Sequence, residues 1–275
     1  MNQGITTIGA YKEAIKGRVF NKMEAFSADF LKENGSILAT HRKKWVHDPL
    51  HQWSRQYEYP FVYEAVKDVA DAGKGREISI LDAGSGVTFF PFFISSLHPK
   101  AVIHCCDSDI SVRDEIGQIN RSLNGSITCF QEDLRKMSFE NACYDIVYCI
   151  SVLEHTDDYD GVVTEVKRIL KEDGIFIVTF DISLDGKDDI SVQRAGELIE
   201  ILDSHFSITE DFNPVEALEK VSSNDILTTG YIREYDKRLL PWRLSKSKAV
   251  KDILRLRRPR TIFRDLTFFC AIFKK

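Results

Sequence analysis

Residues 78–88, Ile-Ser-Ile-Leu-Asp-Ala-Gly-Ser-Gly-Val-Thr, constrain this chain more than any other stretch. Residues 78–82 read as a buried strand, with Asp82 at its end, and Gly84 and Gly86 follow within four positions. Phe89 to Leu97 then opens a strongly apolar helix. Glycine lets the turn come close to a ligand, and the first N–H groups of a helix have no intrahelical partner. A strand, a glycine turn and a helix together therefore make a site for a nucleotide-like ligand.

Around this stretch the chain alternates. Further strands read at 101–106, 126–130, 144–150 and 175–180, and helices at about 111–123 and 158–171. In the last of these helices Val162, Val163, Val166, Ile169 and Leu170 share one stripe, and Asn124-Gly125 and Asp173-Gly174 mark turns. The alternation predicts an α/β fold, Rossmann-like and doubly wound. Its sheet should be mostly parallel, with right-handed crossovers and helices on both faces. Beyond it, 190–203 reads as a helix, 206–211 and 266–274 as strands, and 214–262 as a substrate-side insertion. Upstream, 1–34 reads as helix and 41–63 crowds histidines, tryptophans and tyrosines. That crowded span suits either a helix packed by aromatics or a lid over a ligand, with a helix running from after Pro60 through Val69. The expected division is an N-terminal helical lid or cap at 1–75 and a ligand-binding core at 76–275.

With 275 residues, 43% of them hydrophobic, the chain can bury a sizeable core. A net charge of −5 exerts no general pull toward nucleic acid. No apolar run reaches the roughly 20 residues of a spanning helix, and the N-terminus lacks the apolar core of a signal peptide. The six cysteines show no Cys-x-x-Cys spacing and read as reduced core thiols of a cytoplasmic protein. His41, His47 and His51 are spaced in no pattern that specifies a metal, and none is expected.

The ligand can be narrowed further. A dinucleotide site wants a third glycine, and this turn continues into Thr88 and Phe89. Asp82 stands two residues before Gly84, where a carboxylate would repel phosphate and attract an ammonium group. S-adenosylmethionine (SAM) carries an amino-acid end and a sulfonium and suits that arrangement. Asp107 ends the next strand, 25 residues after Asp82, where a carboxylate can accept both ribose hydroxyls. Gln131-Glu132-Asp133-Leu134 follows the third strand and offers an acid to an adenine amino group. Three acids at successive strand ends line the crevice where open α/β sheets bind ligands.

These residues carry a resemblance. ILDAGSG (80–86), CCDSD (105–109), EDL (132–134), YDIVYCISVLEH (144–155) and EVKRILKEDGIFIVTFD (165–181) resemble the class I SAM-dependent methyltransferases of the broad type-11 family. The resemblance implies a seven-stranded sheet with an antiparallel last strand. It implies that Asp82 and Gly84 face the methionine end of SAM, Asp107 the ribose and Asp133 the adenine, with Gly86, Ser108, Leu134 and Ser151 also at the cofactor. Thr88 departs from the many relatives with a third glycine. Residues 49–61 resemble the region before the core in some bacterial members, where they would cap the site with Arg55 beside the methionine carboxylate.

Methyl transfer needs the nucleophile aligned with the methyl group, and an alcohol nucleophile also needs a base. His155, with Glu154 to orient it, and Asp181 at the end of the fifth strand are the candidate catalytic residues. The expected acceptor is a small molecule, with oxygen ahead of nitrogen and carbon. From Arg243 to Arg264 nine Lys or Arg residues stand against one acid, Asp252, with Leu244, Val250, Ile253, Leu254 and Leu256 interleaved. That pattern fits a solvated basic helix, or a surface for an anionic sugar, a lipid-linked acceptor or a membrane face. Two alternatives stay open, a nicotinamide-dependent oxidoreductase and a non-catalytic SAM-binding module.

Overall fold

The computed structural model describes residues 1–41, 48–73, 75–123, 125–187, 190–208, 212–241 and 263–275. Its strands are β1 (Gly4–Ile5), β2 (Ile78–Ala83), β3 (Ala101–Asp107), β4 (Thr128–Gln131), β5 (Tyr144–Ile150), β6 (Leu170–Ser183), β7 (Ile190–Ser191), β8 (Ser207–Ile208) and β9 (Leu266–Lys274). They form one sheet in the order β1-β9-β6-β5-β2-β3-β4, with β7 paired to β6 and β8 to β9. Neighbours from β4 to β6 run parallel, and β9 lies antiparallel beside β6 from Ile175↔Lys274 to Ser183↔Leu266. The chain reverses its strand order after β4, returning to the other side of β2 with β5. That switch point opens a crevice at the C-terminal ends of the parallel strands.

The helices are α1 (Ile8–Ala14), α2 (Arg18–Glu33), α3 (Leu38–His41), α4 (Arg55–Ala72), α5 (Phe90–Leu97), α6 (Ile110–Leu123), α7 (Tyr159–Ile169), α8 (Val192–His205), α9 (Pro214–Glu219) and α10 (Thr229–Asp236). Side chains alternate across the sheet, so each strand feeds two cores. Ile80, Ile103, Cys105, Tyr148, Ile177 and Phe268 join one core with α2, α4, α5 and α6. Leu81, Cys106, Val147, Phe176 and Phe269 join the other with α7 and α8. Burial on both faces explains why these strands are apolar almost without interruption. All six cysteines are free thiols.

Several boundaries differ from the expectations. The sheet exceeds seven strands because the two-residue pieces β1 and β7 add to its edges. Residues 1–34 begin with β1 rather than helix, and Gly4 and Ile5 pair with Cys270 and Phe269 on β9. The strand expected at 206–211 is present as β8, and residues 209–211 lie outside the described residues. β6 is 14 residues long, because its pairing with β5 starts at Tyr144↔Leu170 and shifts register before Ile146↔Ile175.

The largest change is in α4, which starts at Arg55 and carries Pro60 inside it. A proline this near the start removes a single backbone hydrogen bond, and the helix survives because its flanks are buried. Tyr57, Tyr59, Phe61, Val62 and Val66 are all buried. Tyr59 stacks tilted on Phe90 with ring centroids 4.6 Å apart, and Tyr57 lies 5.9 Å from Phe268. Helix α4 is therefore part of one helical layer, and its first turn stands at the crevice. Of the insertion at 214–262, α9, α10 and residues up to Pro241 are described.

Candidate active site

The crevice has a volume of about 1170 Å³. Its lining includes Arg55, Asp82, Gly84, Gly86, Asp107, Ser108, Asp133, Leu134, Ser151, His155 and Asp181. Asp82 and Asp181, 99 positions apart, meet here because parallel strands end at one edge of the sheet. Among the described residues, no group of three or more His, Cys, Asp or Glu side chains is placed to hold a metal.

The glycine turn is held by the next strand. Gly84 N–H and Ser85 N–H both donate to the Cys106 carbonyl, at 2.8 and 3.0 Å. Gly86 N–H donates to Asp107 Oδ2 at 3.0 Å, and Asp109 N–H to Asp107 Oδ1 at 2.9 Å. Each Asp107 oxygen thus has one backbone donor and lone-pair capacity left for a diol. Gly84 sits at φ +76°, and a Cβ there would lie 2.6 Å from Val152 Cγ2. Gly86, at φ +52°, has nothing within 4 Å of where a Cβ would stand, so a ligand can reach its backbone. Phe89 and Phe90 are buried against Tyr59, which explains why the position after Thr88 is aromatic.

The lining is acidic, with nine Asp or Glu residues against three arginines. Asp82 is 5% exposed, and burial pushes its carboxyl up to about 8. The neighbouring Tyr148 hydroxyl offsets part of that rise, and Asp107 adds to it. A buried acid in this state gains from a cation placed beside it. Asp133 has the opposite environment. It is exposed and held by Arg135 through contacts of 2.9, 3.2 and 2.6 Å, which bring its carboxyl down to about 2. An adenine amino group would have to share Asp133 with Arg135.

At the other end of the crevice the first turn of α4 meets the ends of β5 and β6. Arg55 pairs with Glu58, whose Oε1 accepts from Ser151 Oγ at 3.0 Å and Thr179 Oγ1 at 2.5 Å. Arg55 Nη1 also donates to Ser151 Oγ at 2.5 Å. Ser151 has φ +49°, an uncommon left-handed backbone for a residue with a side chain. This kink ends β5 and turns the chain into the short 3₁₀ turn Leu153–His155. Glu154 there is pushed well above the usual carboxylate range by burial, with Asp181 and Glu58 adding and Arg55 opposing. Its Oε2 is buried with no hydrogen-bond partner among the described residues. His155 is exposed at the rim. The inward carboxyls are therefore Glu154 and half-buried Asp181, which lie within electrostatic reach of each other and of Arg55.

Glu58 and Tyr59 were not legible as site residues, because a helix starting after Pro60 leaves them in a loop. With the helix starting at 55, Arg55-x-x-Glu58 is an i,i+3 pair on one face. Among the other histidines, His51 lies outside the crevice, bonded to Asp48 at 2.7 Å and Glu24 at 3.3 Å. The Asp48 hydrogen bond is the main cause of its rise to about 9. His47, the His41 side chain and the basic residues from 243 to 262 lie outside the described residues. Arg264 lines the crevice.

Residues 81–178 match the family model described as a methyltransferase domain. Over 127 residues the chain is 29% identical to the sterol 24-C-methyltransferase of Schizosaccharomyces pombe, covering 45% of this chain and 33% of that protein. Over 126 residues it is 26% identical to the sterol 24-C-methyltransferase of Neurospora crassa, covering 46% of this chain and 33% of that protein. The match thus spans about a third of the length of these relatives. Among solved structures, the chain is similar to an O-methyltransferase from a trans-AT PKS multienzyme of Brevibacillus brevis in complex with S-adenosyl-L-homocysteine. The TM-score is 0.48 at 18% identity, over 82% of this chain and 80% of that one. The matched stretch, 81–178, holds Asp82, the glycine turn, Asp107 and Asp133, so this part of the chain is similar to a methyltransferase domain.

Proposed function

We propose that this chain transfers the methyl group of SAM to a small polar acceptor, with oxygen as the favoured acceptor atom. Asp82 and the glycine turn would hold the amino-acid end of the cofactor, Asp107 and Ser108 its ribose, and Leu134 with Asp133 its adenine. SAM supplies an already activated methyl group, so the chain's work is to align the acceptor, exclude water and take up a proton. The observation that carries the reading is the Glu154–Asp181 pair at the end of the crevice beside Arg55. Burial first, and Asp181 beside it, hold the Glu154 carboxyl well above the usual carboxylate range, so two carboxyls stand where an alcohol's proton would be taken up. His155, at the rim, is placed to contact the acceptor as it enters.

The relatives' names favour a second reading, transfer to carbon on a lipid acceptor. The charged lining at Arg55, Glu154, Asp181 and Arg264 supports a polar acceptor more than a sterol. The basic sequence 243–264 is a proposed face for an anionic or lipid-linked acceptor or a membrane surface, and the six free thiols suit a cytoplasmic setting.

The test has two stages. Isothermal titration should show binding of S-adenosylhomocysteine, and no binding would end the proposal. Labelled SAM offered with alcohol, amine and sterol panels should then label an alcohol. Glu154→Gln or Asp181→Asn should lower kcat by about 10²-fold or more. Labelling of sterols alone would favour the carbon reading.

A further inference from the structure

We propose that Glu58 is a positioning residue: it holds one edge of the Arg55 guanidinium against the fold and thereby offers the other edge to a ligand carboxylate. The proposal rests on the reading that SAM binds this crevice, and it deepens that reading.

Glu58 is fully buried and does not line the crevice. Its carboxylate accepts from Arg55 Nη1, Ser151 Oγ and Thr179 Oγ1, and so ties α4 to the ends of both β5 and β6. The Arg55 hydrogen bonds to Glu58, Ser151 and Ser54 all leave from one nitrogen, Nη1. Among the described residues, none accepts from Nε or Nη2. A guanidinium carries five donors in a rigid plane, so fixing one nitrogen aims the rest. Here the fixed nitrogen faces Glu58, and the side chain, 18% exposed, lines the crevice.

The ligand group that fits is the carboxylate of an α-amino acid. Arg55, Tyr59, Asp82 and Thr88, the last at the end of the glycine turn, all line the crevice. A cation and an acid therefore flank one end of the crevice. A zwitterion puts its ammonium against the acid and its carboxylate against the guanidinium. Glu58 would otherwise be an unexplained fully buried acid, and a buried ion pair is a costly way to stabilise a fold. Its arrangement makes sense as a means of aiming Arg55 while balancing its charge.

The test compares two probes by isothermal titration. S-adenosylhomocysteine has the amino-acid end, and 5′-methylthioadenosine has the same adenosine and thioether without it. In the wild-type protein the first should bind more tightly. Glu58→Gln should cut affinity for S-adenosylhomocysteine by roughly 10- to 100-fold, the worth of a charge-assisted bidentate contact. Affinity for 5′-methylthioadenosine should stay within about twofold, since a contact the probe never makes cannot be lost. If Glu58→Gln fails to fold, Glu58→Asp keeps the charge but draws the carboxylate back from Nη1, and should shift the same ratio. A parallel loss for both probes would show a merely structural role and overturn the proposal, as would no change in the ratio. If the wild-type protein binds neither probe, the SAM reading itself fails.

Discussion

Asp82 offers a prediction that links stability to cofactor binding. Its carboxyl is buried and rises to about 8 from an ordinary value of 3.8. Between those values the folded protein keeps a proton that the unfolded chain has released. Stability from this group is therefore fully present below about pH 4 and is lost as pH rises toward 8. For one site with these values, the loss between pH 6 and pH 8 is about 2 kcal/mol. Asp82→Asn has nearly the same shape and no proton to lose. Urea unfolding at the two pH values should therefore show a steeper decline in the wild type than in the variant, by that difference. Glu154 titrates in the same direction, but it is present in both proteins and cancels from the comparison. A ligand ammonium beside Asp82 would favour the ionised form, so S-adenosylhomocysteine binding near pH 7 should release a proton. Titrations in buffers of different ionisation enthalpy would detect it. Equal pH dependence in the two proteins, with no proton release, would refute the argument that burial holds this acid neutral.

Other substitutions follow from the glycine turn. Asp107→Ala should abolish measurable S-adenosylhomocysteine binding by titration. It should cost only about 1–2 kcal/mol in urea unfolding, since it also removes acceptors from the Gly86 and Asp109 N–H groups. Gly84→Ala should destabilise by about 2 kcal/mol or more in thermal or urea unfolding. Its Cβ would stand 2.6 Å from Val152 Cγ2 on a backbone at φ +76°, so both packing and conformation oppose it.

The parts of the fold that local pattern determines were legible. β5 and β9 stand at the expected residues, 144–150 and 266–274, because continuous apolar runs bounded by turn residues leave few alternatives. The N-terminal region was less legible. Two residues of β1 become a strand only because β9 offers an open edge. Pro60 signalled a helix boundary that tertiary burial of Tyr57, Tyr59 and Phe61 overrode.

Sequence by itself determined that Asp82, Gly84, Gly86, Asp107 and Asp133 would meet, since strand-turn-helix order dictates which loops share the edge of a parallel sheet. It could not show that Asp133 would turn to Arg135 while Asp82 is buried, because both are acids one or two residues from a strand end. It could not separate Glu154 from His155, neighbours on one short turn of which the first is the more buried. Only the tertiary structure brought Arg55 and Glu58 against Ser151 and Thr179, 96 and 121 residues away respectively. Local patterns record burial and turning, which neighbours in the chain share. The direction of a charged side chain and the partner that balances it depend on elements that meet only when the sheet closes.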